Sequence, residues 1–371
     1  MAVGDILPHR RVKRSALSLA DTDSPPSGWT ALFADVLPLL RDADIAFGNL
    51  EAPVAPDNHQ GVHGEVFNAP AAMAGGLADA GFDVLAMANN HVWDQGAAGM
   101  LETRRRVIAA GMQPVGVGST CAEAAAPTLV EAHGVRFAFV AATDLLNIHL
   151  EGGDDEPCVL LAGDPCVGDC GPDRDAVHFR AEASYLAPSL RAARQQADVV
   201  ILSMHWGNEY RTVPLDEYLA LAPQLIDAGA DVVLGHHPHV LQPVVRHTAP
   251  DGREGVIAYS LGNFISDMAS SFVPTDHAPR RGDMRDGMVL TVTFERVGDG
   301  PTRISDVGIV PTWTVNNRTT RSDDEPDHIA VVGYPTLGGP QGDADLAVQR
   351  AARVREVLGS DAPIRPPTPT P

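Results

Sequence analysis

Three histidines follow directly on an apolar run in the second half of the chain. Residues 232–234 read Val-Val-Leu, which predicts a short buried strand, and Gly235 ends it. His236, His237 and His239 come next. Open α/β sheets bind ligands at the carboxyl ends of parallel strands, and imidazole is a common transition-metal ligand. The stretch therefore predicts a metal site at the edge of a parallel sheet. The alternative is a histidine-rich surface loop.

The same arrangement, a ligand-type side chain at the end of an apolar strand, recurs along the chain. Six residues have it: Asp5, Glu51, Asn90, His205, His237 and His239. Carboxylate, amide and imidazole groups gathered at one sheet edge can hold two cations about 3.5–4 Å apart, which clamp an oxyanion and activate water. We therefore expect two divalent ions as cofactors. The ligand types do not distinguish Mn, Fe, Zn and Ni.

A candidate acid/base group lies beside these ligands. His91 follows Asn90 directly, which would place its imidazole next to the metals. Asp94, three residues further on, would orient the ring. The alternative for His91 is a structural histidine, and the alternative for Asp94 is a helix N-cap.

Three further residues are candidates for substrate binding. Trp206 and Glu209 come directly after the ligand candidate His205, so they are predicted to line a pocket. Core packing would explain Trp206 equally well. Asn263 follows another apolar strand, and its alternative is an asparagine in a turn.

Strands and helices alternate along most of the chain, which predicts an α/β fold in one domain over residues 1–360. Residues 144–180 are rich in Gly, Asp, Cys and Pro and are predicted to be an inserted loop that shapes substrate access. Residues 10–27 are polar and are also predicted to be a loop. The tail 361–371, rich in Pro and Thr, is predicted to be disordered.

Composition limits the partners and the compartment. The formal net charge of −21 argues against nucleic acid and anionic membranes as partners. No signal-type segment and no run of about 20 apolar residues is visible, so we expect a soluble, cytoplasmic protein without membrane insertion. The four cysteines are Cys121, Cys158, Cys166 and Cys170. Their spacing does not match paired zinc motifs, which favours reduced surface thiols.

Taken together, these segments resemble the CapA family, the bacterial poly-γ-glutamate capsule proteins of the calcineurin-like metallophosphatase superfamily. They follow the family's order over about residues 2–315. The matching segments are Gly4-Asp5, Gly48 to Glu51, Asn89 to Asp94, His205 to Tyr210, Gly235 to Val240 and Ser260 to Phe264.

The resemblance implies a metallophosphatase-like layered β core (αββα) flanked by helices, with a dinuclear site at the strand carboxyl ends. By motif, Asp5 and His239 would hold one metal, Asn90, His205 and His237 the other, Glu51 would bridge them, and His91 would be the acid/base group. His236 falls outside this assignment. Leu7 stands where phosphatases of the superfamily carry a histidine ligand, so the first metal lacks a ligand or takes one from elsewhere. Glu51 stands where those enzymes carry Asp.

Three functions follow from this site. We expect Cα epimerisation of a peptide whose carboxylate is held at the metals, because soluble proteins that look like this chain include metal-dependent peptide epimerases. A cation there would stabilise the charge formed when Cα loses its proton. His91 would be one acid/base group, and His236, or Asp94 acting through His91, the second. The alternatives are a metallophosphoesterase and a component of poly-γ-glutamate synthesis; a non-catalytic binding module remains. The substrate would be a peptide or a small polyanion.

Overall fold

The computed structural model describes residues 1–365 apart from 25, 63, 65, 149, 151, 167–175, 297, 299, 340–341 and 360–361. The strands are β1 (Ala2–Ile6), β2 (Phe47–Leu50), β3 (Val84–Ala86), β4 (Gln113–Val115), β5 (Val117–Gly118), β6 (Thr128–Ala132), β7 (Val135–Thr143), β8 (Leu145–Leu146), β9 (Cys158–Val159), β10 (Gly163–Pro165), β11 (Val177–Ala181), β12 (Val199–His205), β13 (Val232–His236), β14 (Val244–Thr248), β15 (Glu254–Ala258), β16 (Asn263–Ile265), β17 (Asp286–Arg296), β18 (Thr302–Asn316) and β19 (Ile329–Gly333).

The α-helices are α1 (Arg10–Leu19), α2 (Pro26–Ala31), α3 (Leu37–Arg41), α4 (Ala72–Ala80), α5 (Gly96–Ala109), α6 (Cys121–Ala125), α7 (Ala183–Gln196), α8 (Asp216–Asp227), α9 (Tyr334–Leu337) and α10 (Ala344–Leu358). Short 3₁₀ turns cover Pro56–Asn58 and Pro279–Arg285. None of the helices in the described part of the chain is long and apolar enough to cross a membrane.

Two mixed sheets form the centre of the fold. One has the strand order β19-β18-β17-β1-β2-β3-β4, with β16 also paired to β1, and the other has the order β14-β15-β13-β12-β7-β6. Each sheet contains a block of parallel strands. The block is β1-β2-β3-β4 in the first sheet and β7-β12-β13-β15 in the second. The carboxyl ends of a parallel block lie at one edge, so each sheet gathers its strand-end residues there.

Side-chain alternation along β12 shows how the layers pack. Val199 and Ile201 belong to the large core between the sheets, whereas Val200, Leu202 and Met204 belong to a second core built with α7 and α8. The period of two follows from strand geometry. Helices that pack against the sheet containing β1 also supply apolar residues to the large core. The predicted layered β core flanked by helices is therefore confirmed.

The structure corrects the prediction for residues 144–180. Instead of an irregular loop, the described part of this segment contains β8 to β11, and β9 pairs with β5. A disulfide joins Cys121 to Cys158 beside that pairing, and Cys166 is disulfide-bonded as well. The expectation of reduced thiols is thus wrong for these three cysteines, because the segment folds back against β5. Cys170 lies outside the described residues.

Two other segments also differ from the sequence prediction. Residues 10–19, predicted as loop, form α1, which buries Val12 and Ala16 among polar neighbours that face outward. In the tail, residues 363–365 run along β18, where Ile309 exchanges two backbone hydrogen bonds with Pro363 and Arg365. The remaining tail, 366–371, and the expectation of disorder for it fall outside the described residues.

Candidate metal centre

The strand-end residues of both sheets meet in one buried cluster. Asp5 lies near the end of β1, Glu51 directly follows β2, and His205 ends β12. His237 and His239 follow β13. All five are buried, with Asp5 and Glu51 fully so. The two parallel blocks therefore bring together the ligand candidates that the sequence singled out.

The ligand atoms of this cluster fall into overlapping groups. Within each group the atoms lie within 4.8 Å of one another, which is close enough to share one cation. Two groups have Glu51 in common, and a third adds a rim residue. The groups are Asp5, Glu51 and His239; Glu51, His205 and His237; and Glu209, His237 and His239. Asn90 joins the second group, because its Oδ1 lies 2.9 Å from His205 Nε2.

Glu51 tests whether these residues suit a cation. Both of its carboxyl oxygens are buried and have no hydrogen-bond partner among the described residues. Oε1 lies 3.5 Å from Nε2 of His205 and 3.7 Å from Nε2 of His239. Burial raises the pKa of Glu51 well above its usual range. A buried carboxylate without donors is costly unless a positive charge compensates it, so the cluster fits divalent metal ions.

Asp5 is held as an ionised carboxylate. Asn49 Nδ2 donates to its Oδ1 at 2.8 Å, and the backbone N–H of His237 donates to its Oδ2 at 3.2 Å. Nδ1 of His236 and Nδ1 of His239 each lie 3.1 Å from the carboxylate. Burial by itself would raise the pKa of Asp5, but the hydrogen bonds from His236 and His239 hold it well below its usual range.

The backbone after β13 is shaped for this cluster. His237 and His239 have φ angles of 91° and 57°, in the left-handed region that non-glycine residues seldom adopt. Such strain persists where the surroundings enforce it, and it concentrates at functional sites. Gly235, just before them, permits close packing, since a Cβ there would lie 1.9 Å from the Tyr259 carbonyl oxygen.

His91 stands beside the cluster with a fixed ring orientation. Its Nδ1 lies 2.9 Å from Oδ2 of Asp94, and its Nε2 lies 3.5 Å from Nδ2 of Asn147. The same Asp94 oxygen accepts the backbone N–H of Phe67 at 2.6 Å. Because a carboxylate only accepts, the neutral ring carries its proton on Nδ1 and presents a lone pair at Nε2. His91 thus has the geometry of a general base.

Two predicted substrate-binding residues take supporting positions instead. Trp206 requires a correction: it is 1% exposed, and its Nε1 donates to the Tyr259 carbonyl at 3.0 Å. His205 faces the cluster, so the next side chain points to the outer core. Asn263 is also buried, and its Oδ1 lies 3.0 Å from Nδ1 of His239. It therefore orients His239, as outer-shell partners of metal ligands do.

His236 and Glu209 differ in their access to solvent. His236 is fully buried behind Asp5, its ring centroid 6.0 Å from that of Phe47, and its Nε2 has no partner among the described residues. Glu209 is at the open side, with its side chain 40% exposed and Oε1 3.7 Å from Nε2 of His239. Of the two, only Glu209 can meet a ligand arriving from solvent.

The structure adds two residues that sequence reasoning left without a role. Asn49 donates to Asp5 and lies 3.3 Å from Nδ1 of His205, so it ties the two sheets together. Asn147, in the inserted segment, contacts both Asn90 and His91. Asn49 sits two residues before Glu51, a spacing that places both on one strand face; no comparable signal marks Asn147.

The fold and the cluster define an α/β protein with a candidate metal centre at the strand ends. Comparison with known families shows the group to which the chain belongs. The family model "Bacterial capsule synthesis protein PGA_cap" matches residues 1–268, and the chain belongs to this family. The resemblance to CapA seen in the sequence is therefore confirmed.

Individual relatives show the extent of the similarity. The "PGA biosynthesis protein CapA" of Bacillus subtilis (strain 168) is 32% identical over 270 residues, covering 71% of this chain and 62% of that protein. The "Capsule biosynthesis protein CapA" of Bacillus anthracis is 31% identical over 269 residues, covering 71% and 59%. The chain thus spans about three-fifths of the length of these relatives. A solved structure of a hypothetical protein from Thermus thermophilus is similar at 15% identity and a TM-score of 0.40, covering 90% of this chain and 97% of that one.

Proposed function

We propose that this chain is a metal-dependent hydrolase of anionic esters that serves capsule polymer synthesis. The observation that carries the proposal is Glu51, a buried carboxylate with no donor among the described residues, facing His205 and His239. Asp5 and His239 would hold one ion, and Asn90, His205 and His237 the other. When bound, divalent ions stabilise an oxyanion and activate water.

The chain's own residues would then handle the proton. His91 presents a lone pair at Nε2, so it can take a proton from the attacking water and return it to the leaving oxygen. Asp94 keeps the ring in that tautomer through its contact with Nδ1. Asn147 would remain in contact with Nε2 of His91 until substrate takes its place.

The geometry favours hydrolysis over the Cα epimerisation expected from the sequence. Inversion needs two acid/base groups on opposite faces of Cα. His236, predicted as the second, is fully buried behind Asp5 and faces Phe47, so it cannot reach a substrate at the open side. Hydrolysis needs one such group beside the metals, which His91 supplies.

Family membership supports the link to capsule synthesis. The names of the family and of both relatives refer to capsule or PGA biosynthesis. In the CapA family that the sequence resembles, the capsule polymer is poly-γ-glutamate, a polyanion. The disulfide between Cys121 and Cys158 favours an oxidising compartment over the cytoplasm that the sequence predicted, because disulfides persist mainly there. We therefore place the proposed activity outside the cytoplasm, where a capsule polymer is assembled or trimmed.

One assay distinguishes the candidate reactions. The Mn²⁺-loaded chain is incubated with p-nitrophenyl phosphate, with bis(p-nitrophenyl) phosphate, and in D₂O with a γ-glutamyl peptide. We expect nitrophenol release that is lost in His91→Asn. Deuterium at Cα without hydrolysis would replace the proposal with epimerisation. Neither reaction, with metal bound, would leave a binding function.

A further inference from the structure

His9 lies in the loop between β1 and α1, and the ring of Phe67 links it to His91 of the candidate centre. It is partly exposed, and its ring lies edge-on to Phe67, with centroids 5.2 Å apart. The ring of Phe67 also contacts the ring of His91, with centroids 4.6 Å apart. Phe67 itself is fixed by the hydrogen bond from its backbone to Asp94. His9 and His91 are thus held around one aromatic ring.

A backbone contact fixes the tautomer of His9. The N–H of Asp267 donates to Nδ1 of His9 at 3.2 Å. A backbone N–H can only donate, so Nδ1 carries the lone pair and Nε2 carries the proton. Burial lowers the pKa of His9 to about 3, so the ring is neutral.

This tautomer separates His9 from the metal ligands. A ligating histidine coordinates through one nitrogen and donates the N–H of the other to an acceptor, as His239 can to Asn263. If Nε2 of His9 bound a metal, Nδ1 would carry a proton and face the donor N–H of Asp267. A side-chain amide could turn over to relieve such a conflict, but a backbone N–H cannot. His9 therefore does not replace the histidine missing at Leu7.

The remaining nitrogen is available to substrate. Nε2 of His9 has no hydrogen-bond partner among the described residues, and it is not one of the buried unpartnered atoms, so it is accessible to solvent. We propose that His9 binds the anionic group of the substrate by donating a hydrogen bond from Nε2, while His91 handles the proton. The assignment of the substrate rests on the proposed function.

Two variants separate this role from a structural one. In His9→Gln the side-chain amide reaches the place of Nε2 and keeps a donor there, but it loses the acceptor for Asp267. In His9→Asn the amide oxygen keeps the contact with Asp267, but the side chain is too short to reach substrate. A contact with substrate is therefore retained by Gln and lost in Asn, whereas a structural role gives the opposite order.

The test measures binding of inorganic phosphate to the Mn²⁺-loaded chain by calorimetry. We expect His9→Asn to weaken binding about tenfold or more, the loss of one hydrogen bond to a charged group, and His9→Gln to stay within about threefold. Bound Mn²⁺ should be the same in all three proteins. Weaker binding in Gln than in Asn, lower Mn²⁺ in His9→Asn, or no phosphate binding by the unmodified chain would overturn the proposal.

A second measurement does not depend on turnover. Long-range ¹H–¹⁵N spectra of the metal-free chain, with His9 assigned by its absence in His9→Gln, report which nitrogen is protonated. We expect the Nε2–H form, and an Nδ1–H form would refute the argument. Phosphate binding with the predicted order, but no ester hydrolysis, would keep the role of His9 and refute the hydrolase instead.

Discussion

Oδ2 of Asp94 lies 2.9 Å from Nδ1 of His91, and both residues are buried. This pair fixes which nitrogen of His91 is free to act. In Asp94→Asn the amide N–H₂ can donate to Nδ1 of His91. The ring proton would then lie on Nε2, which would be a donor and no longer a base. The pair should therefore control turnover without holding metal.

We expect Asp94→Asn to lower kcat for aryl phosphate hydrolysis about 10²–10⁴-fold, the usual contribution of a positioned acid/base group. Metal content should be unchanged. Steady-state kinetics and elemental analysis measure the two quantities. Asp79→Asn, at an exposed position, is the matched control. A kcat within about threefold of the unmodified chain would move the acid/base role elsewhere.

Glu209 is the side chain placed to complete the first metal site that Leu7 leaves short. Its Oε1 lies 3.7 Å from Nε2 of His239, on the open side. We expect Glu209→Gln to weaken binding of one of the two ions about tenfold or more, and the other little. Calorimetric titration with Mn²⁺ resolves the two steps. Glu131 is exposed and distant from Glu209 in the sequence, so Glu131→Gln should bind Mn²⁺ as the unmodified chain does. If Glu131→Gln weakened Mn²⁺ binding as much as Glu209→Gln, the assignment of Glu209 as a ligand would be wrong.

The Cys121–Cys158 disulfide should stabilise the inserted segment. Backbone pairing of β5 with β9 and the bond from Cys121 N to the Asp154 carbonyl lie beside it. Replacing both cysteines with Ser should lower the free energy of unfolding by about 4 kcal/mol, because the disulfide restricts the unfolded chain over a loop of 37 residues. Urea titration measures the loss. Stoichiometric maleimide labelling of Cys121 in native, unreduced protein would contradict the disulfide directly.

Asp144, directly after β7, predicts a pH dependence of stability. Burial raises its pKa to about 8, although the Tyr218 hydroxyl, 2.6 Å away, opposes the shift. The unfolded carboxyl has a pKa of about 3.9, so only the folded state keeps the proton between these values. The stability due to this group is therefore complete below about pH 4 and is lost as pH rises toward 8. In Asp144→Asn, unfolding free energy of the metal-free chain should vary less between pH 5 and pH 8; an unchanged slope would reject this protonation state.

Much of the site could be predicted because parallel strands place their carboxyl ends together. The apolar runs before them, and the rule that ligands bind at the carboxyl edge of parallel strands, are enough to predict the positions of Asp5, Glu51 and His205. For Trp206 the sequence allows either a pocket or core packing, and the alternation of side chains past His205 places it in the outer core.

The rest depends on how loops cross the molecule, which no local pattern records. His9 is held by the backbone of Asp267 because β16, which precedes Asp267, pairs with β1. Asn147 reaches His91 because the inserted segment folds over the sheet edge. The disulfide needed the same knowledge, since Cys121 and Cys158 are separated by 37 residues and only the β5–β9 pairing brings them together.

Elemental analysis of the purified chain beside Glu51→Gln tests the central claim most directly. The exchange keeps the side chain's shape, so circular dichroism should show the same fold, while the bridging charge between the two groups disappears. We expect about two divalent ions per unmodified chain and a clear loss in Glu51→Gln, with His237→Ala also losing metal. Equal metal in the unmodified chain and in Glu51→Gln, or none in the unmodified chain after loading, would contradict the account.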